Sequence, residues 1–241
     1  MNVVLLRVGI DTGSGGIHAP LFADGTFQFM HIPDKFGGPG VDERTYGNTL
    51  DSWGRRPLVE YFPERKRAKM HDQPMHFDPE FETFTYGDPT RPKAVLRNLE
   101  RGDYLVFYSG LEGYDCHADP ALYIVGYFVV EWAGLAPGIQ TEELHRLFHA
   151  NFHVRHETVF RRQRSHLVLV KGGSGSRLLE RPVLISTDSV DRSGRRLKVL
   201  SPEMQRTFGD LRGRLAIQRS TPRWIESGDV PRATQFLAEL S

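Results

Sequence analysis

Cysteine is almost missing from this chain: Cys116 is the only one in 241 residues. An internal disulfide and a cysteine-based zinc site are therefore both excluded. There is no apolar run of about 18 residues and no basic-then-apolar leader after Met1, so the sequence predicts neither a membrane span nor a secretory signal. A cytoplasmic protein without a membrane partner is the resulting expectation. No repeat and no low-complexity linker interrupts the chain. An excess of charge of one sign is lacking as well, since the formal net charge is +1. With 39% hydrophobic and 25% charged residues, the composition is that of an ordinary globular protein.

The small total hides an uneven distribution. Residues 151–241 hold 17 Lys and Arg against 9 Asp and Glu, whereas the preceding residues hold 14 against 21. A basic C-terminal part of this kind suits a polyanion such as nucleic acid, or the acidic half of the same chain.

The order of elements predicts a single α+β domain over residues 1–241, with its basic part from about 151. NVVLLRV is short, β-branched and closed by glycine, which marks a buried strand. LFADGTFQFMHI places Asp24-Gly25 before the alternating Phe27 and Phe29, a hairpin signature. A long Gly/Pro/Asp loop from Pro33 to about Gly54 follows. PKAVLRNLERGD fits a short helix with Val95, Leu96 and Leu99 on one face. DYLVFY and LYIVGYFVVEW read as strands, a helix capped by Thr141 comes next, and SHLVLVKGG and RPVLIS are two further strands. Ser201-Pro202 opens a helix, and PRATQFLAEL closes the chain as another.

The first candidate site is GIDTGSGG. An apolar run entering Asp-Thr-Gly is the local pattern of aspartic proteases, but a proton-sharing dyad needs a second aspartate. Here only a homodimer contributing Asp11 twice would supply it. A phosphate cradle would require a helix after the glycines, and a hairpin follows instead. Two readings stay open: a loose nest of Ser14, Gly15 and Gly16 amides around an anion, and a tight turn in which Asp11 caps its own backbone.

The wider stretch RVGIDTGSGGIHAPLFADGTFQFMHIPDK resembles the opening of the third nucleotide-modification-associated domain family of phages and bacteria, found beside base-modification genes. Arg7, Asp11, Ser14, Gly15, Gly16, Pro20, Asp24, Gly25, Ile32 and Pro33 carry the likeness. It continues through His76, Asp78 and Pro79, through Gly102 and Asp103, and into IVGYFVV, covering about residues 1–135, and extends more weakly to NFHVRH and KGGSGSRLLERP beyond. Val8 and His18 depart from the pattern. The resemblance implies a nucleotide or nucleic-acid base as substrate class, base-modification enzymes as partners, and Asp11, His76 and Asp78 at a polar pocket, with Asp11 or His76 as acid or base. It names no cofactor and no reaction.

GDYLVFY followed by an Ile-Val-Gly strand also resembles PUA-like base-recognising barrels. The fold expected is thus a mixed sheet or a partly open barrel with flanking helices, and Tyr104, Phe107, Tyr108, Tyr127, Phe128 and Trp132 serve either as base walls or as core.

Two more clusters stand out. In LVLVKGGSGSRLLERP a strand runs into Gly and Ser with Lys171 before and Arg177 and Arg181 after, so Ser174 and Ser176 join them as a candidate phosphate loop or form a plain hairpin. Arg161, Arg162, Arg164, Arg195, Arg196 and Lys198 could extend the same basic face along a phosphate backbone. His145, His149, His153 and His156 would share a metal-binding face only if the Thr141 helix ran on. Asn151 and the β-branched residues after it favour a break, and no metal site is assigned. The alternatives to a base-modifying protein are a non-catalytic reader of modified nucleic acid and a homodimeric aspartic protease.

Overall fold

The computed structural model describes residues 1–35 and 43–240. Part of the predicted 33–54 loop therefore lies outside the described residues. The strands are β1 (Val3–Arg7), β2 (Ala19–Leu21), β3 (Ile32–Pro33), β4 (Met75–His76), β5 (Thr85–Asp88), β6 (Tyr104–Gly113), β7 (Ala121–Leu135), β8 (Val168–Gly172), β9 (Arg177–Leu184), β10 (Ser186–Val190), β11 (Arg196–Leu200) and β12 (Arg223–Trp224). The helices are α1 (Glu64–His71), α2 (Thr141–Phe148), α3 (Phe152–Arg155), α4 (Glu157–Gln163), α5 (Pro202–Phe208) and α6 (Val230–Glu239).

An eight-stranded mixed sheet organises the chain in the order β12-β1-β6-β7-β8-β5, with β2 added to β6 and β9 to β7. β1 runs parallel to β6, and β6 antiparallel to β7. β7 spans 15 residues and pairs with β9 through its first half and with β8 through its second. The sheet is open, so of the two arrangements expected from the sequence the α+β fold with an open mixed sheet is the one that forms.

The unbroken apolar run of β1 has a simple cause, because the strand is covered on both faces. Val4 and Leu6 belong to a core with Phe29, Tyr46, Phe62, Met75, Leu96, Phe107 and Phe128. Val3 and Leu5 face the other way, into a core closed by Met204 and Phe208 of α5 and Leu237 of α6. Each fully buried Leu there contributes about 1.5–3 kcal/mol relative to exposure. The aromatic residues considered as base walls go into packing: Phe107 and Phe128 are completely buried in the first core and Tyr108 in the second, and Trp132 stacks edge-on against Phe148 in a third cluster with Leu144 and Leu169.

Several local expectations are modified. The Asp24-Gly25 turn forms, with Gly25 at φ 82 and the Phe22 amide bonded to the Thr26 carbonyl, but Gln28 is buried alongside Phe27 and Phe29. Residues 91–98 form a 3-10 helix rather than an α-helix. At about three residues per turn, Lys93, Leu96 and Leu99 share one side, so Leu96 and Leu99 are buried and Val95 is exposed. Gln140, not Thr141, flanks α2. Past Asn151 the chain is neither one continuous helix nor a strand: Asn151 caps a new short helix, its side chain accepting the His153 amide at 3.1 Å.

Candidate functional site

A polar cavity of about 250 Å³ opens where the ends of β1 and β5 meet. These strands lie three strands apart across β6, β7 and β8 in the sheet order, yet both line the same space. Arg7, Asp11 and Ser14 come from β1 and the turn after it, His76 and Asp78 from β4 and its continuation, and Tyr86, Gly87 and Asp88 from β5. Lys93 enters from the 3-10 helix, and Gln218 and Ser220 come from the C-terminal part. The structure thus gathers Asp11, His76 and Asp78, which the sequence separates by more than sixty residues.

Asp11 organises its own turn. Oδ1 accepts the Gly13 amide at 2.8 Å, the Ser14 amide at 2.7 Å and the Ser14 hydroxyl at 2.9 Å. The Asp11 carbonyl accepts the Gly15 and Gly16 amides at 2.8 and 2.9 Å. The amides that a phosphate nest would offer are therefore already occupied, and the capping turn accounts for the glycine-rich spacing. Asp11 Oδ2 meets Arg7 Nη2 at 3.1 Å, and Arg7 also donates to the Gln218 carbonyl. Partial burial works against ionisation of Asp11, but the Ser14 hydroxyl, Arg7 and the two amides outweigh it and hold the carboxyl below its ordinary pKa. A cationic partner of this kind is the opposite of the second carboxylate that a protease dyad demands.

The far wall is a buried group of three side chains. Asp78 receives the Gly87 amide at 2.9 Å on Oδ2 and 3.1 Å on Oδ1. His153 Nε2 lies 3.2 Å from the same Oδ2, and His76 Nε2 lies 3.9 Å from it. Gln163 Oε1 faces His153 Nδ1 at 2.6 Å, which places a proton on Nδ1 and turns Nε2 toward Asp78. The approach depends on Gly87, where a Cβ would stand 2.9 Å from the His153 ring and 3.0 Å from Asn151 Oδ1. Burial, reinforced by His153, pushes the His76 pKa well below its usual value and keeps that ring neutral. Burial pushes Asp78 up, while His153, although equally buried, is raised by its bond to Asp78, so the pair shares a proton. One ligand atom from each of His76, Asp78 and His153 lies within 4.8 Å of the others, and these three residues could hold a metal ion.

Beyond the Arg7–Asp11–Gln218 wall lies a second concavity, lined also by His18, Arg195, Lys198 and Arg219. The Tyr108 hydroxyl holds the Ile217 carbonyl at 2.7 Å, and Gln218 Oε1 accepts the Lys198 amide at 3.1 Å, fixing the segment that separates cavity from groove.

The Lys171–Arg177 segment contributes to neither space. Lys171 Nζ donates to the Thr83 carbonyl, Ser176 Oγ accepts the Val129 amide at 3.0 Å, and the Arg177 guanidinium lies over Tyr127. Ser174 is exposed at the tip of the turn joining β8 to β9. Of the histidine-rich stretch, His145 and His149 face solvent, His156 is half-buried with its ring 4.8 Å from that of Phe152, and His153 is fully buried. Lys93, Gln218 and Arg219 were not singled out with the site by sequence, and His153 was marked only by the weak likeness at NFHVRH and by the conditional histidine face, with Asn151 as the cap of the short helix that presents it.

Fold and site together define an α+β protein whose open mixed sheet carries a His/Asp cavity at the meeting point of two of its strands. The chain belongs to the nucleotide modification associated domain 3 family, whose model matches residues 2–239. The match extends well past the resemblance over the first 135 residues and includes the segment carrying His153 and Arg219. Membership associates the chain with nucleotide modification in general terms. No curated protein and no solved structure matches it. Among the described residues no helix is long and apolar enough to cross a membrane.

Proposed function

We propose that this protein engages a nucleotide or nucleic-acid base and acts on it, with the base in the His76/Asp78 cavity and the phosphate in the adjoining basic groove. The observation that carries this reading is the shared wall, because Arg7, Asp11 and Gln218 line both spaces. The cavity itself is not a phosphate pocket: its cations are balanced, Arg7 by Asp11 and Lys93 by Asp88 at 2.8 Å. At about 250 Å³ it is smaller than the roughly 300–1,000 Å³ of most ligand sites, which suits a single base rather than a whole nucleotide. Arg195 and Arg219 then meet the backbone, beside Lys198, whose ammonium is paired with Asp188 at 2.8 Å, in line with the basic C-terminal composition.

Buried titratable groups on the cavity wall favour catalysis over reading alone. A reader needs donors and acceptors for the base edge, whereas His76 and the Asp78–His153 pair are costly to bury without a proton or charge to handle. Salt-dependent binding of a labelled single-stranded oligonucleotide tests the proposal. Arg195→Ala with Arg219→Ala should lower the slope of log affinity against log salt by about 1–2. Affinity unchanged between about 50 and 200 mM salt would remove the groove from the account. Asp11→Asn separates the alternatives, since a reader keeps its affinity and an enzyme loses turnover.

A further inference from the structure

We propose that His76, Asp78 and His153 form a binding site for one divalent first-row metal ion of the Fe²⁺/Zn²⁺ class, with its remaining coordination positions open to the cavity. This deepens the base-modifying reading, and it rests on that reading only for the use to which the ion is put.

The donor set is the first argument. Two imidazoles and one carboxylate suit borderline divalent ions and leave positions for water or substrate, the pattern of catalytic rather than closed structural sites. All three side chains are more than nine-tenths buried, so they are not the exposed acidic groups that gather on surfaces by chance.

Spacing is the second. Ligand atoms bound at about 2.0–2.2 Å to one ion stand about 3.0–3.5 Å from one another. The His153 Nε2 to Asp78 Oδ2 distance of 3.2 Å is already in that range. The other separations are wider, 3.9 Å from His76 Nε2 to the same oxygen and up to 4.8 Å within the trio, so the His76 ring has to swing inward by about 0.5–1.5 Å for all three to reach one ion.

Orientation is the third. A ligating histidine typically gives its other ring N–H to an oxygen that fixes its tautomer, and Gln163 Oε1 stands 2.6 Å from His153 Nδ1 in that position. Asp78 is held in turn by the Gly87 amide, and the α3 helix start is pinned by Asn151. The pieces come from three separate elements: β4 and its continuation, β5 and α3. Because His76 and Asp78 line the cavity while His153 stands behind them, an ion among the three would face the space assigned to the base.

The test uses the full chain, stripped with a chelator, dialysed, and loaded without oxygen with Fe²⁺, Zn²⁺, Mn²⁺ or Co²⁺ in separate samples. One ion per chain by elemental analysis is expected, with Co²⁺ giving a visible absorption band and bound ion raising Tm. His153→Ala and Asp78→Asn should each weaken loading at least tenfold, whereas His145→Ala, an exposed histidine of the same stretch, should load fully. Should the two site variants fail to fold, Co²⁺-induced shifts of the His76 and His153 ring protons in the unaltered protein decide the matter without them. A folded chain that takes up no ion at micromolar metal overturns the proposal, as does full loading of His153→Ala. Oligonucleotide titration on the same samples is scored separately: ion uptake without oligonucleotide binding keeps the metal site and sinks the nucleic-acid reading, and the reverse result does the opposite.

Discussion

Two segments of this chain look alike as strings: Asp-Thr-Gly-Ser-Gly-Gly after β1, and Lys-Gly-Gly-Ser-Gly-Ser-Arg after β8. Both suggest an anion held by flexible amides and nearby cations. In the structure both spend their polar groups on the fold, the first on Asp11 and the second on the Thr83 carbonyl and the Val129 backbone. They differ in where the sheet delivers them. The first sits at the meeting of β1 and β5 and becomes a wall of the cavity, while the second lies along β7 and only turns the chain from one pairing partner to the next. Composition and spacing describe a loop's internal bonding, and position relative to the sheet decides whether anything can reach it.

The sharpest way to break that contrast is to remove the organiser of the first loop. Asp11→Ala leaves Arg7 without its carboxylate and strands two amides and a hydroxyl; a loss of about 2–3 kcal/mol in urea unfolding is expected, together with loss of cavity ligand binding. Unchanged stability would mean that the turn holds without its carboxylate.

The second segment should answer differently. A Cβ at Gly172 would come within 2.5 Å of Ser176 Oγ and 2.9 Å of Phe128 Cβ, so Gly172→Ala should cost about 1–2 kcal/mol through overpacking. Ligand affinity of the folded fraction should stay within about twofold, since the segment lines neither space. A large affinity loss would return the Lys171 loop to the site.

Acid gives the mildest probe. Because the folded pKa of Asp11 lies below its ordinary value of 3.8, its stabilising contribution is complete above that value and is lost as pH falls through the folded pKa. The stability difference between the unaltered protein and Asp11→Asn should therefore hold near pH 6 and shrink toward about pH 2.5. A difference that grows in acid would reverse the assignment of Arg7 as its partner.

Much of this architecture could be read from local pattern. The β1 run, the Asp24-Gly25 turn, the Ser201 cap and the terminal helix all follow from rules acting within a few residues, and they form as expected. His76 and Asp78 came from family likeness, and the cavity brings them to Asp11. What escaped was long-range. Lys93 reaches the cavity from residues 91–98, which wind as a 3-10 helix, a choice between two helical periods that an eight-residue window hardly distinguishes. His153 joins Asp78 from a segment joined by no local pattern to β4, through a break at Asn151 whose direction only packing sets. Gln218 and Arg219 belong to no motif; Tyr108 and Lys198 hold them in place from two different strands.

The bond from Arg7 to the Gln218 carbonyl ties the beginning of the chain to its last quarter. Detaching the segment around Gln218 would therefore breach one side of the cavity while β1, β5 and the imidazoles stay where they are, so the integrity of that wall depends on a residue 211 positions away from the strand end it seals.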